Sequence, residues 1–266
     1  MNKGRLTYYF RKFGLIMLAD KIKFALFSVL NHRKNEKFKI DFPDVVLPPD
    51  YMIFESFKLD YEKYYTGGQK TATWLCELIT KYVALEGKYI LDWGCGPARV
   101  TRHLPKLAPG AKVFGTDYNR KTIDWCTSFI PDITFVKNTI DGKLNFDRSY
   151  FDVLIGISIF THLSEENHLF WIAELHRVIK KDGIAFLTTA GEAFKIQMTV
   201  DEIKQFEAGH LVLRGNTFEG HRTFAAFQPK SYFAKLISTY FDVLEFKAGT
   251  VQSWGIEQDY WILKSK

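Results

Sequence analysis

The stretch from Tyr89 to Arg99, YILDWGCGPAR, constrains the fold of this chain more than any other. It has the form of a short apolar strand, an acidic residue and a Gly-x-Gly turn that leads into a helix. Glycines in such a turn let a ligand approach the backbone closely, because no Cβ intervenes. About 20 residues further on, a second apolar run ends in Asp117, whose carboxylate can accept hydrogen bonds from both hydroxyls of a ribose. Together the two features predict a pocket for a cofactor that contains adenosine.

The spacing of the glycines distinguishes two kinds of cofactor. A dinucleotide-binding turn carries Gly-x-Gly-x-x-Gly, and its third glycine would fall on Arg99. The stretch instead resembles motif I of the class I methyltransferases that use S-adenosylmethionine (SAM). In that family Gly-x-Gly-x-Gly is usual, and Ala98 takes the last position here, a mild departure expected to narrow the turn without blocking it. An isolated Gly-x-Gly would equally suit an ordinary tight turn, but Asp117 at the expected distance favours the cofactor.

Later stretches resemble the same family, so that the resemblance covers roughly residues 45–266. Residues 151–156 resemble its fourth strand, residues 175–183 the segment before its fifth strand, and residues 258–264 its closing strand. The resemblance implies an α/β, Rossmann-like fold with a seven-stranded, mostly parallel sheet, an antiparallel last strand and helices on both faces. These motifs are specific for the superfamily and say little about the methyl acceptor.

Alternating apolar runs and helical patterns predict the same sheet from the residues themselves. Strands are predicted near residues 89–92, 113–117, 134–137, 153–156, 184–189, 242–247 and 258–264. Helices are predicted near residues 70–83, 98–107, 120–129, 165–180 and 229–240. A parallel, doubly wound sheet binds its ligand outside the carboxyl ends of its strands. The last two strands are joined without a helix, which predicts an antiparallel pair.

The resemblance also implies a set of cofactor contacts. The methionine half of SAM is expected to contact the turn and the segments that approach it: Asp92, Gly94, Cys95, Gly96, Ser158, Phe160, Tyr65 and Gly68. The adenosine half is expected to contact residues that follow the second and third strands: Asp117, Tyr118, Asn138 and Thr139. Within this set, Asp117 binds the ribose and Tyr118 stacks beside the adenine. The alternative for Asn138 is an ordinary turn residue.

Two histidines are the candidate catalytic residues. Methyl transfer is an in-line displacement, so the protein mainly aligns the acceptor, the methyl group and the sulfur. A hydroxyl acceptor also benefits from a general base, and histidine suits that role near neutral pH. His162, which follows the fourth strand, is the first candidate, and His221 is the second. The alternative for His162 is a structural hydrogen bond that holds its loop. No cluster of ligating side chains indicates a metal site.

Positive charge is concentrated in the N-terminal region. Residues 1–40 hold ten Lys or Arg and two acidic residues, a net charge of +8, whereas the rest of the chain sums to −2. Apolar residues recur there at helical spacing and predict a helix with an apolar stripe: Leu15, Leu18, Ala19, Ile22, Ala25, Leu26, Val29 and Leu30. Aromatic residues precede it: Tyr8, Tyr9, Phe10 and Phe13. Such a helix suits peripheral contact with an anionic membrane, or packing on its own domain or a second subunit. Nucleic acid is disfavoured, because positive charge would then surround the cleft.

We therefore predict a basic amphipathic extension over residues 1–45 and a methyltransferase domain over residues 46–266. Within the domain, residues 190–228 form an insertion on the acceptor side. The expected activity is transfer of a methyl group from SAM to a hydroxyl of a small-molecule or sugar acceptor. This expectation follows a resemblance to a bacterial subgroup often linked to glycan or secondary-metabolite synthesis, seen in Phe42-Pro43, Pro48-Pro49 and residues 160–163.

Two other functions stay open at this point. One is N- or C-methylation of a metabolite or protein, and the other is a non-catalytic scaffold with the same fold. The cysteines show no disulfide pattern, which favours a reducing cytoplasm. We therefore expect a cytoplasmic protein, peripheral at the inner membrane face if the N-terminal helix contacts lipid. The sequence leaves oligomerisation open.

Overall fold

The structure, a computed structural model, describes residues 15–215 and 217–266. A seven-stranded sheet forms the centre of the fold. The strands are β1 (Tyr89–Trp93), β2 (Lys112–Asp117), β3 (Thr134–Lys137), β4 (Phe151–Gly156), β5 (Ile179–Thr189), β6 (Val212–Arg214), β7 (Ala225–Phe227), β8 (Phe241–Lys247), β9 (Val251–Gln252), β10 (Gly255–Ile256) and β11 (Asp259–Ser265). The order across the main sheet is β3-β2-β1-β4-β5-β11-β8, and β11 runs antiparallel to both of its neighbours. The Rossmann-like sheet with an antiparallel last strand is thus confirmed.

Helices cover both faces of this sheet and form the N-terminal region. They are α1 (Ile16–Leu30), α2 (His32–Asp41), α3 (Asp50–Phe57), α4 (Tyr61–Ile79), α5 (Leu104–Leu107), α6 (Arg120–Phe129), α7 (Glu165–Val178), α8 (Val200–Glu207) and α9 (Lys230–Ile237). The helix predicted from residue 98 is shorter: a 3₁₀ turn at Thr101–His103 leads into α5. Ala98 has a φ of +56°, and this left-handed conformation cannot belong to an α-helix.

The core divides into two layers because successive strand residues point to opposite faces of the sheet. Ile90 and Val153 pack in one layer with α4 and α6. Their chain neighbours Leu91 and Leu154 pack in the other layer with α7 and α9. The parallel strands β1 to β4 therefore have both faces covered, and their carboxyl ends meet at one edge of the sheet.

Helix α4 begins earlier than the sequence predicts and includes the glycine pair that was expected to precede it. Asp60 caps the helix by accepting a hydrogen bond from the amide of Lys63 at 3.0 Å. Gly67 and Gly68 then lie within the helix. A Cβ at Gly68 would lie 2.2 Å from the carbonyl oxygen of Arg99. Glycine at this position therefore lets α4 pack directly on the backbone that follows β1.

The N-terminal helices form a layer of their own beside this domain. Phe24 and Phe27 of α1 pack against Phe54 of α3, with ring centroids 5.2 and 6.4 Å apart. The apolar stripe predicted for α1 lies on the opposite face, where all of its residues except Ala19 are exposed. Tyr8, Tyr9, Phe10 and Phe13 lie outside the described residues. Within residues 15–215 and 217–266, no helix has the length and apolar character needed to cross a membrane.

The segment predicted as an insertion, residues 190–228, contains a 3₁₀ turn, α8 and the antiparallel pair β6–β7. A buried ion pair holds it together: Arg214 contacts both carboxylate oxygens of Glu202, at 2.8 and 2.7 Å. Its last loop returns to the main domain. There the amide of Gly220 donates to the carbonyl of His162 at 2.9 Å, and Glu219 accepts from the amide of Ser164 at 2.6 Å.

Substituting the two adjacent glycines of α4 separates helix propensity from packing. Gly68→Ala should lower the free energy of unfolding by about 1–3 kcal/mol, because its methyl group would overlap the Arg99 backbone. Gly67→Ala is the matched control, since its Cβ would meet no atom within 4 Å. It should raise stability by up to about 1 kcal/mol. Urea unfolding followed by circular dichroism measures both. Equal effects of the two substitutions would contradict the packing described.

Candidate active site

The Gly-x-Gly loop lies at the carboxyl end of β1, and backbone hydrogen bonds tie it to β2. The amides of Gly94 and Cys95 donate to the carbonyl of Thr116 at 2.8 and 2.9 Å. Gly94 and Gly96 have φ angles of +74° and +51°, which glycine adopts without steric cost. A Cβ at Gly94 would lie 2.0 Å from Cδ1 of Ile159, whereas one at Gly96 would meet no atom within 4 Å. Gly96 therefore leaves open space beside its backbone for a ligand.

Ala98 occupies the place of the third glycine of motif I and takes over its backbone conformation. Its φ of +56° is left-handed, which costs a non-glycine residue roughly 1–2 kcal/mol. The side chain is fully buried, and the Ala98 amide donates to the carbonyl of Cys95 at 3.1 Å. Alanine therefore keeps the turn, at a steric cost that burial of its methyl group helps to offset.

A cavity of about 980 Å³, counted with its open mouth, extends from this loop along the ends of β2, β3 and β4. The lining includes eight of the residues predicted from the sequence: Gly94, Gly96, Asp117, Tyr118, Asn138, Ser158, His162 and His221. The sheet brings them together because all but His221 follow the carboxyl ends of its parallel strands.

Asp117 is the acidic residue at the centre of this cavity. One carboxylate oxygen accepts from the amide of Gly96 at 3.1 Å, and the other accepts from the amide of Asn119 at 2.8 Å. Burial raises the pKa of Asp117 to about 6, against the lowering effect of these two hydrogen bonds. A ribose that donates its hydroxyls to the carboxylate would favour the ionised form further. The position suits the predicted role of Asp117 in binding a ribose.

A second cavity of about 660 Å³, counted with its open mouth, adjoins the first and shares Gly94, Gly96 and Ser158 with it. It holds two side chains of opposite charge, Asp92 and Arg99. Burial raises the pKa of Asp92 to about 6, although Thr101 donates to it at 2.5 Å and Arg99 lies nearby. This pairing can bind a zwitterion, with the carboxylate facing an ammonium group and the guanidinium facing a carboxylate.

Arg99 is a candidate binding residue that the sequence analysis used only to exclude a dinucleotide. Its guanidinium donates to Thr71 at 2.9 Å and lies 4.8 Å from the centre of the Phe57 ring. Burial lowers the pKa of Arg99, and the carboxylate of Asp92 opposes that shift. The helical packing of α4 positions this side chain, so no local motif could have indicated it.

The remaining predicted contacts lie outside the main cavity. Asp92 and Cys95 line only the second cavity, and burial raises the pKa of the Cys95 thiol well above its usual range. Four others line neither cavity and are not brought to the site: Tyr65, Gly68, Thr139 and Phe160. The ring of Phe160 is buried in the core against Trp93. Tyr65 and Gly68 lie within α4.

Hydrogen bonds assign different tautomers to the two candidate bases. Nδ1 of His162 lies 2.7 Å from the carbonyl oxygen of Phe224, so the neutral ring carries its proton on Nδ1 and a lone pair on Nε2. Nδ1 of His221 lies 2.8 Å from the Thr223 hydroxyl, which can donate to it, and accepts from the Thr223 amide at 3.2 Å. Its proton therefore lies on Nε2, which is 3.8 Å from Glu55. Burial and the nearby Arg222 lower the pKa of His221. Only His162 has the tautomer of a base at Nε2.

The mouth of the cavity is formed by segments far apart in the sequence. Met52 and Glu55 come from α3, and Arg222 comes from the insertion. Burial raises the pKa of Glu55, although Arg222 acts in the opposite direction. These residues lie beside His221, so the mouth presents donors and acceptors of both charges to an incoming molecule.

The comparisons with known proteins agree with this geometry. The family described as a methyltransferase domain matches residues 90–183. An uncharacterized methyltransferase of Schizosaccharomyces pombe is 31% identical over 110 residues, which are 40% of this chain and 74% of that protein. The ubiquinone biosynthesis O-methyltransferase of Pelagibacter ubique is 30% identical over 113 residues, 40% of this chain and 43% of its own.

Solved structures share the fold at lower identity. The magnesium protoporphyrin IX methyltransferase of Synechocystis, crystallised with bound SAH, has a TM-score of 0.55 and 15% identity. The match covers 91% of this chain and 99% of that one. A SAM-dependent methyltransferase of Methanosarcina mazei has a TM-score of 0.55 and 19% identity over 71% of this chain and 96% of its own.

The raised pKa of Asp117 makes binding of an adenosyl ligand depend on pH. S-adenosylhomocysteine should bind at least about tenfold more weakly at pH 5 than at pH 8, because protonation below pH 6 weakens Asp117 as the acceptor for the ribose, and protonation of Asp92 weakens its pairing with the ammonium group. Calorimetric titration measures this affinity. Asp117→Asn should bind weakly at every pH. Asp259→Asn is the control, because burial also raises the pKa of Asp259 to about 6 but the residue lies outside both cavities. An affinity independent of pH would contradict the assignment.

Proposed function

The chain belongs to the class I SAM-dependent methyltransferases, and we propose that it methylates a hydroxyl group of a small-molecule or sugar acceptor. The observation that carries the proposal is the tautomer of His162, a residue of the cavity wall whose Nε2 holds a basic lone pair. A hydroxyl is a weak nucleophile until its proton is removed, so an O-methyltransferase benefits from a base at this position.

The residues of the two cavities fit SAM. Gly96 leaves its backbone open, Asp117 faces the larger cavity, and Asp92 and Arg99 face the smaller one. We assign the adenosine half to the larger cavity and the amino-acid half to the smaller, where opposite charges match its ammonium and carboxylate groups. When bound, SAM supplies a methyl group activated by a sulfonium. The protein therefore needs only to orient and deprotonate the acceptor.

His162 is suited to receive the acceptor's proton at Nε2. The carbonyl of Phe224 accepts a hydrogen bond from Nδ1 at 2.7 Å, which fixes the ring and stabilises the imidazolium that forms. Gly220 binds the His162 carbonyl, so the insertion and the candidate base are held in one arrangement. His221 presents an N–H toward Glu55 and is better suited to donate to the acceptor than to deprotonate it.

Two observations support a hydroxylated acceptor. The Pelagibacter ubique relative is named as an O-methyltransferase. The lining of the larger cavity combines the charged Glu55 and Arg222 with the aromatic side chain of Tyr118. Polar groups that fix orientation beside aromatic surfaces suit a sugar ring or a phenol. We therefore propose a role in glycan or secondary-metabolite synthesis.

Cys76, Cys95 and Cys126 are free and buried, which supports a cytoplasmic location for that role.

His162→Asn tests the proposed base. The asparagine amide can still donate to the Phe224 carbonyl, but it has no basic nitrogen, so kcat should fall about 10²–10⁴-fold. Affinity for S-adenosylhomocysteine should stay within about twofold, because the base does not bind the cofactor. Release of S-adenosylhomocysteine measures turnover across a panel of sugars, nucleotide sugars and phenols.

His221→Asn is the matched control, and its kcat should change far less because His221 has the other tautomer. Transfer of a ¹³C-labelled methyl group, followed by NMR of the product, identifies the atom that receives it. A methyl group on nitrogen or carbon would overturn the choice of acceptor. Full activity of His162→Asn would overturn the choice of base. Binding of S-adenosylhomocysteine without turnover on any acceptor would favour a scaffold.

A further inference from the structure

Helix α1 has two apolar faces, and only one of them packs on the rest of the described chain. The outward face, here called the outer stripe, comprises Leu15, Leu18, Ile22, Leu26, Val29 and Leu30. These side chains are between 45% and 77% exposed. At 3.6 residues per turn they fall within about a third of the helix circumference. Contiguous apolar surface of this kind marks an interaction site.

The inner face fixes the orientation of α1. Asp20 is 4% exposed and pairs with Arg222 of the insertion, and Tyr51 also donates to it at 3.2 Å. Phe24 and Phe27 pack beneath. Breaking a buried ion pair of this kind is costly, because it leaves a charge uncompensated. The helix therefore cannot rotate to bury the outer stripe without losing the contacts of its inner face.

Basic side chains flank the outer stripe. On a helix with 3.6 residues per turn, Lys21 and Lys23 fall on opposite edges of the stripe, and both are exposed. Long lysine side chains at such edges extend their ammonium groups to lipid headgroups while their methylenes cover apolar surface. The helix belongs to a segment, residues 1–40, with a net charge of +8.

We propose that the outer stripe docks this protein on an anionic phospholipid bilayer. The leucine and isoleucine side chains would enter the region between headgroups and acyl chains, and the basic segment would be attracted to the negative surface. The charge argues against a second copy of this chain as the occupant. A dimer across the stripe would bring two segments of charge +8 together, and like charges at close range oppose association.

Docking would also hold one wall of the larger cavity against the membrane-bound helix. Arg222 lines that cavity and pairs with Asp20 of the docked helix, and Glu55 of the neighbouring α3 lines it as well. An acceptor with a lipid anchor could then reach the site from the membrane. This consequence rests on the proposed function, whereas docking itself does not.

Sedimentation of the full-length protein with vesicles tests the proposal. Binding should require phosphatidylglycerol in phosphatidylcholine vesicles and should weaken as salt is raised. Ile22→Glu should lower the vesicle partition coefficient at least about tenfold, the effect of losing one buried aliphatic side chain. Leu169→Glu on α7 is the matched control, because Leu169 and Ile22 are both 61% exposed and each variant adds one negative charge. It should bind as the parent does.

Thermal unfolding and affinity for S-adenosylhomocysteine should be unchanged in both variants, which separates failure of docking from failure of the methyltransferase site. Three results would overturn the proposal. The parent would not sediment with anionic vesicles, or both variants would lose binding equally. Alternatively, light scattering would show a dimer that Ile22→Glu converts to a monomer, and the stripe would then be a subunit interface.

Discussion

The carboxylate of Asp117 holds together the two strand ends on which the rest of the site depends. It accepts from the amides of Gly96 and Asn119, one on each oxygen, and so ties the Gly-x-Gly loop to the end of β2. A carboxylate offers about four lone-pair positions, so these two bonds leave one position on each oxygen. Both hydroxyls of a ribose can therefore bind without displacing the amides. The loop that receives the cofactor is held in place by the group that binds it.

The sheet was predictable because its signals are local. Apolar runs, the acidic residues at their ends and the glycines of motif I all lie within short stretches, and the strands form where those patterns place them. The predictions that proved wrong concern places where long-range packing determines the structure. Glycine weakens a helix by propensity, yet Gly67 and Gly68 lie inside α4, and at Gly68 close contact with the Arg99 backbone requires the absence of a Cβ. The helix predicted near residues 98–107 includes Ala98. The Gly-x-Gly turn imposes a left-handed backbone conformation on this residue, which its side chain does not indicate.

The residues of the site also fall into two groups, those placed by local sequence patterns and those placed by long-range packing. Residues that follow strand ends could be assigned from the sequence, since parallel strands bring their carboxyl ends to one edge. Arg99, Glu55 and Arg222 could not, because their places depend on how α3, α4 and the insertion pack. The pair between Asp20 and Arg222 joins residues 202 positions apart in the chain and has no local pattern. The tautomer of His162 also depends on a tertiary contact, the hydrogen bond from Nδ1 to the carbonyl of Phe224, 62 positions away in the chain.

The buried acids separate a cofactor-binding enzyme from a scaffold that merely shares the fold. Burial raises the pKa of Asp92 and of Asp117 from 3.8 to about 6. Each carboxyl then binds its proton more tightly in the folded chain than in the unfolded one. Each protonated carboxyl favours folding below about pH 4, and this contribution is lost as the pH rises to about 6. At neutral pH the loss is about 3 kcal/mol for each residue.

A scaffold would gain from replacing two such acids with neutral side chains. A protein that binds SAM recovers the loss, because a ligand that binds only the folded state stabilises it by mass action. An ammonium group beside Asp92 and ribose hydroxyls on Asp117 favour the ionised carboxylates that burial disfavours. Without a ligand the two buried acids lower the stability of the folded chain, and with SAM bound the same two carboxylates help to hold the ligand.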